Sequence, residues 1–139
     1  MKKLIAILLL VIILGGCSES PEIKSVVQNI QTLKNTLRDP DSLKIYNDII
    51  IIDDDITNTQ IMYIDYGAKN GLGNMGRKTA MFSDDQYLGN YEDVKSHEVT
   101  DIDFSIKYLT AGVLYIEYLN GTDTTFIKID KDMVIKKIK

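Results

Sequence analysis

The chain has 139 residues, 45% of them hydrophobic and 26% charged, with a formal net charge of −4. That length fits one domain of roughly 150 residues, and the balance of apolar and charged side chains excludes wholesale disorder and collagen-like repetition. A single Cys and a single His exclude an intrachain disulfide, a Cys-rich zinc or iron–sulfur centre and a His-rich metal site, so no cofactor is expected.

Met1-Lys2-Lys3 precede eleven unbroken apolar residues, Leu4 to Leu14, and then Gly15-Gly16-Cys17. A positive flank, a short apolar core and small residues before a break are the parts of a secretory signal. As a helix the apolar run covers roughly 17 Å at ~1.5 Å per residue, short of the ~30 Å hydrocarbon layer. Leu14-Gly15-Gly16-Cys17 resembles the lipobox of bacterial lipoproteins. The resemblance implies that residues 1–16 are removed and that the Cys17 thiol carries diacylglycerol. Residues 17–20 then form a short tether to a single domain over 21–139. It implies a membrane as partner, held through Cys17, on the extracytoplasmic face of a bacterial cell envelope. Two or more acyl chains hold stably where one holds only marginally, at about 0.8 kcal/mol per buried methylene. Three tether residues after Cys17 reach roughly 10 Å, which keeps the following helix near the headgroups.

Loss of Lys2 and Lys3 leaves 14 basic against 20 acidic residues, a net charge of −6. A domain of that sign is repelled by phosphate backbones, so no nucleic-acid partner is expected.

Ser20-Pro21-Glu22 reads as a helix start: a side-chain cap, a proline in the first turn and an acid beside it. Ile23, Val26, Val27, Ile30, Leu33 and Leu37 recur at three and four, and Pro40 ends the helix. Its polar face is poor in Lys and Arg and carries no aromatics, which favours packing on a sheet over lying on a membrane. Leu43 to Ile52 reads as a strand, and its run Ile49 to Ile52 needs cover on both faces or a bend. Gln60 to Tyr66 and Arg77 to Phe82 are predicted as further strands, joined by a glycine-rich loop. Ser83 to Ser96 has no clear period and reads as loop or short helix. Asp101 to Leu109 alternates through Ile102, Phe104, Ile106 and Tyr108, predicting a strand, and Val113 to Leu119 predicts another. Asn120-Gly121 suits a type I′ hairpin turn, Thr122 to Ile129 returns, and Met133 to Ile138 closes the sheet. The expected class is α+β, one N-terminal amphipathic helix packed on an antiparallel sheet of about six strands.

Gly71-Leu72-Gly73-Asn74-Met75-Gly76 matches a dinucleotide fingerprint in letters only. That motif requires a helix to start within it, and Arg77 to Phe82 reads as a strand. Leu37-Arg38-Asp39-Pro40-Asp41-Ser42 and Ala68-Lys69-Asn70-Gly71 resemble a pattern in small uncharacterised bacterial and phage proteins, and the resemblance implies a shared fold but no activity. From turn chemistry, Asp39, Asp41 and Ser42 accept backbone N–H groups and Asn70-Gly71 suits positive φ. A sharper expectation is that Lys69 and Asn70 meet Asp39, Asp41 and Ser42 across the hairpin, locking helix to sheet or forming a polar ligand site. Asp53-Asp54-Asp55 lacks the spacing of a calcium loop and reads as a solvated turn. His97 is the one imidazole, and a Glu–His or Ser–His device needs partners that converge in space. With no catalytic set in view, a non-catalytic binding or envelope-associated lipoprotein is the favoured function. The rivals are a small envelope hydrolase using His97 with carboxylates and a phage- or mobile-element-borne surface lipoprotein that interferes with infection.

Overall fold

In a computed structural model that describes residues 19–96, 101–122 and 125–138, helix α1 (Pro21–Thr36) starts at the expected cap. Ser20 is extended, and its Oγ accepts from Ile23 N at 3.3 Å. Val26, Asn29, Ile30 and Leu33 form its buried face. A 3₁₀ turn (Pro40–Ser42) then turns the chain into the sheet. Cys17, the apolar leader and His97 lie outside the described residues.

Six strands follow: β1 (Lys44–Ile45), β2 (Ile49–Asp54), β3 (Thr59–Lys69), β4 (Met75–Ser83), β5 (Gln86–Asn90) and β6 (Phe126–Ile129). They pair antiparallel in the order β5-β4-β3-β2-β6, with β1 also on β3. β1 and β2 are one broken strand. Ile45 faces Tyr66 and Ile50 faces Tyr63, so four residues oppose two and the chain bulges at Tyr46–Asp48. The bulge is pinned from outside the sheet: Lys131 Nζ donates to Tyr46 O at 2.8 Å, and Lys131 N donates to Asp48 Oδ1 at 3.1 Å.

The isoleucine run shows why both faces are covered. Ile49 and Ile51 belong to a core shared with Val26, Ile30 and Leu33 of α1 and Val134, whereas Ile50 and Ile52 join Tyr63, Met81, Tyr108 and Ala111 on the other side. All four isoleucines are at most 6% exposed. Side chains alternate across a strand, so a buried apolar run demands a layer on each face. Those layers are α1 with α3 (Lys131–Ile138) on one side and α2 (Ile102–Leu119) on the other.

The α+β class and the antiparallel sheet of about six strands stand, but the segments predicted after residue 100 need correction. Asp101 to Leu109 and Val113 to Leu119 are not two strands; they form the single helix α2. Asp101 caps it by accepting from Phe104 N at 2.9 Å, and Ser105, Tyr108, Ala111 and Gly112 are its buried residues, at helical spacing. The outward face is apolar as well: Ile102, Ile106, Leu109, Val113 and Ile116 are exposed. With apolar side chains on the inward face and on much of the outward one, the 3.6-residue period is blurred, and a two-residue alternation fits the letters equally.

Asn120-Gly121 is not a hairpin turn but the end of that helix. Gly121 has φ +67°, and Gly121 N and Thr122 N donate to Tyr118 O and Glu117 O, both at 3.1 Å, closing a Schellman motif. Met133 to Ile138 is likewise helix and not strand, burying Val134 and packing Ile135 and Ile138 beside it. Within Ser83 to Ser96 the structure has β5 and a 3₁₀ helix (Tyr91–Ser96). No described helix is long and apolar enough to cross a membrane.

Two substitutions test the α2 correction by urea unfolding followed by circular dichroism. Asp101→Ala is expected to lower stability by about 1 kcal/mol, the usual worth of an N-cap. Leu109→Pro, tolerable near a strand edge, is expected to cost about 3 kcal/mol or more in a helix interior.

Candidate functional site

The loop between β3 and β4 is organised by Asn70. Its Oδ1 accepts from Leu72 N at 2.9 Å and Asn74 N at 3.0 Å, while its backbone N donates to Asn74 O at 2.9 Å. Gly73 sits at φ +81°, where a side chain is strained. The glycines thus serve a tight hairpin followed by strand β4, and the fingerprint G-x-G-x-x-G opens no helix.

The two sequence motifs do adjoin. Lys69 N donates to Ser42 Oγ at 2.8 Å, and that hydroxyl donates to Asp39 O at 2.7 Å. The contact is a structural tie made by backbone and hydroxyl. Asp39 enters it through its carbonyl, and Asp41 lines a separate groove beside Leu43, Lys44 and Ile135. Lys69 and Asn70 instead line a cleft of about 600 Å³ between the end of α1 and the hairpin.

Arg38, Tyr66, Lys78, Tyr87 and Asn90 also line this cleft. Asn90 Oδ1 accepts from Tyr66 Oη at 2.9 Å and Tyr87 Oη at 3.3 Å, and Asn90 Nδ2 donates to Asp93 Oδ2 at 3.1 Å. Lys78 Nζ closes the chain on both Asp93 oxygens, at 3.2 and 2.9 Å. Burial pushes both tyrosine hydroxyls up, so they stay neutral at physiological pH. The hydrogen bond from Lys78 holds Asp93 below the usual carboxylate range.

Arg38 and Lys69 are different: neither makes an ion pair or side-chain hydrogen bond among the described residues. The guanidinium lies where a Cβ on residue 71 would collide with Nη1, so Gly71 makes room for it. Two unspent cations and a third held by Asp93 converge on one cleft of an acidic chain. Such a set attracts carboxylate or phosphate, with Arg offering a planar fork and Lys a mobile point charge.

The sequence reading found Lys69 and Asn70 but not Arg38, Tyr66, Lys78, Tyr87 or Asn90. The signal for Arg38 was its place beside the Asp-Pro-Asp-Ser turn. Tyr66 and Lys78 are cross-strand partners, a relation that only the register reveals.

The other acidic run is structural. Asp54 is 2% exposed; its Oδ1 accepts from Ile56 N at 2.9 Å and its Oδ2 takes the Thr57 hydroxyl, an Asx-type turn. Among the described residues no group of His, Cys, Asp and Glu is arranged to hold a metal. Arg77 is spent on Asp65 and on the Tyr46 ring, 4.7 Å from its centroid.

The Asp93 shift gives a pH test. Its folded value lies below the ordinary one, so the stability it contributes is complete near neutrality and lost as pH falls through the lowered value. Thermal melts between pH of about 6 and 2 are expected to fall less steeply in Asp93→Asn, by at most about 1 kcal/mol for a solvent-screened pair.

The chain matches no protein-family model, no curated protein and no solved structure. What the cleft holds has therefore to be read from its own chemistry.

Proposed function

We propose that this protein is a lipid-anchored binding module on the extracytoplasmic face of a bacterial membrane, and that it holds an anionic ligand in the cleft at the end of α1. The anchor rests on the lipobox resemblance at Leu14-Gly15-Gly16-Cys17. The binding role rests on one observation: Arg38 and Lys69, whose side-chain charges have no partner among the described residues, line the same cleft as Lys78. The ligand group is a carboxylate or a phosphate. The chain's net charge is negative, so the attraction for such a group comes from the local set of cations in the cleft.

Position supports the same reading. The cleft lies at the Thr36 end of α1, and the tether joins at Ser20. Sixteen helical residues span about 24 Å, more than twice the ~8–10 Å over which salt screens headgroup charge. With α1 upright on its tether, a ligand from solution would meet Arg38 and Lys69 without competing with the bilayer surface.

The two halves of the proposal are tested separately. In cell fractionation Cys17→Ala is expected to move the protein out of the membrane fraction; an unchanged distribution refutes the anchor. The detergent-solubilised full chain is titrated calorimetrically with citrate and with inorganic phosphate, which tells the two ligand chemistries apart. Arg38→Gln and Lys69→Gln are each expected to weaken binding about tenfold, the worth of one charge-assisted contact. Failure of both anions to bind removes the binding role and leaves the anchor standing.

A further inference from the structure

A second cavity, of about 310 Å³, lies at the other end of α1, between its first turns and the β4–β5 hairpin. Asp84 and Asp85 form that hairpin's two-residue turn, closed by the pair Ser83 and Gln86. Both have positive φ, +42° and +66°, a conformation for which Asn-Gly is the favoured pair. Two aspartates there accept strain that glycine avoids.

Their carboxylates are turned to use. Asp84 Oδ1 accepts from Gln60 N at 2.9 Å, while Asp85 Oδ1 accepts from the Ser25 hydroxyl and from Asn29 Nδ2, the latter at 3.0 Å. Ile51, Met62 and Phe82 supply an apolar floor, and Glu22, Asp84 and Asp85 stand around it. Among the described residues no Lys or Arg lines the cavity.

Asn29 lines this cavity from the middle of α1 and is 0% exposed. Its Nδ2 is spent on Asp85 and, at 3.4 Å, on Met62 Sδ, yet its Oδ1 has no hydrogen-bond partner among the described residues. A buried acceptor without a donor is costly, and such atoms are rare in folded chains. Rotating the amide would set oxygen against the Asp85 carboxylate, so the mismatch is not relieved within the site.

An N–H donor and a positive charge would satisfy these groups, and the floor takes hydrocarbon. We infer that this cavity is a binding site for a small organic cation, a primary ammonium on a short aliphatic stem. The ammonium group has three donors, matching Asn29 Oδ1 and the carboxylates of Asp85 and Glu22. Three carboxylates outweigh the partial positive charge of the α1 N-terminus, about half a unit. A bare metal ion is the poorer occupant, since the described carboxylates are not grouped to ligate one.

The test uses the full chain in detergent, with butylamine and 1,4-diaminobutane as probes, read by calorimetry and by melting temperature. Both amines are expected to bind saturably and raise the melting temperature. Butanol, the uncharged isostere, is expected to do neither. Butyltrimethylammonium, which keeps the charge but has no N–H, should bind about tenfold more weakly. Asp85→Asn keeps a residue that tolerates positive φ and Glu22→Gln alters only the rim, so both variants fold; each should weaken the amines about tenfold. Arg38→Gln should leave amine binding unchanged, which separates this site from the anion cleft. Absence of saturable amine binding overturns the inference. So does butanol binding as well as the amines, calcium binding in their place, or amine affinity unmoved in both variants. Equal affinity for the trimethylated cation refutes the part given to Asn29.

Discussion

Burial of the central strands on both faces governs this structure. In β2 and β3 neighbouring residues point to opposite sides, and each carries a buried apolar run: Ile49 to Ile52 on one strand, Ile61 to Ile64 on the other. An antiparallel sheet can leave one face wet, but this one cannot. Helices α1 and α3 cover Ile49, Ile51, Met62 and Ile64, while α2 covers Ile50, Ile52, Ile61 and Tyr63. The small residues Ser105, Ala111 and Gly112 let α2 lie close, and Tyr63 Oη donates to Ala111 O at 2.7 Å across the contact.

The polar sites arise where that layered core ends. Helix α1 lies along the sheet and meets a hairpin at each end. Near Ser25 and Asn29 it meets the acidic turn of Asp84 and Asp85; near Arg38 it meets the loop held by Asn70. The two meetings are opposite in charge, and about 16 Å of helix from Ser25 to Thr36 separates them, beyond the ~8–10 Å over which salt screens charge. Rigid strands carry both hairpins, so the groups that line each cavity are positioned by the core rather than by mobile chain.

Much of the first two thirds of the chain was legible. Ser20-Pro21-Glu22 announced α1, because a cap and a first-turn proline act within a few residues of themselves. The four isoleucines announced a strand that needs cover on both faces or a bend, and the hairpin glycines announced a turn. Helix α2 was not legible, since its outward residues Ile102, Ile106, Leu109, Val113 and Ile116 are as apolar as its inward ones. Asn120-Gly121 was misread for a related reason: a residue at positive φ serves a hairpin and a helix end equally well.

The candidate sites divide along the same line. Local chemistry fixed the lipobox resemblance, the helix cap, the Ser42 turn and the loop around Asn70, because each is decided by neighbours in sequence. Tertiary structure alone decided which side of the sheet each helix covers, that Arg38 and Lys69 share a cleft with Lys78, and that Asp85 reaches Asn29. The last two relations join residues 9 to 56 apart, and strand register with helix packing, rather than local preference, sets such distances.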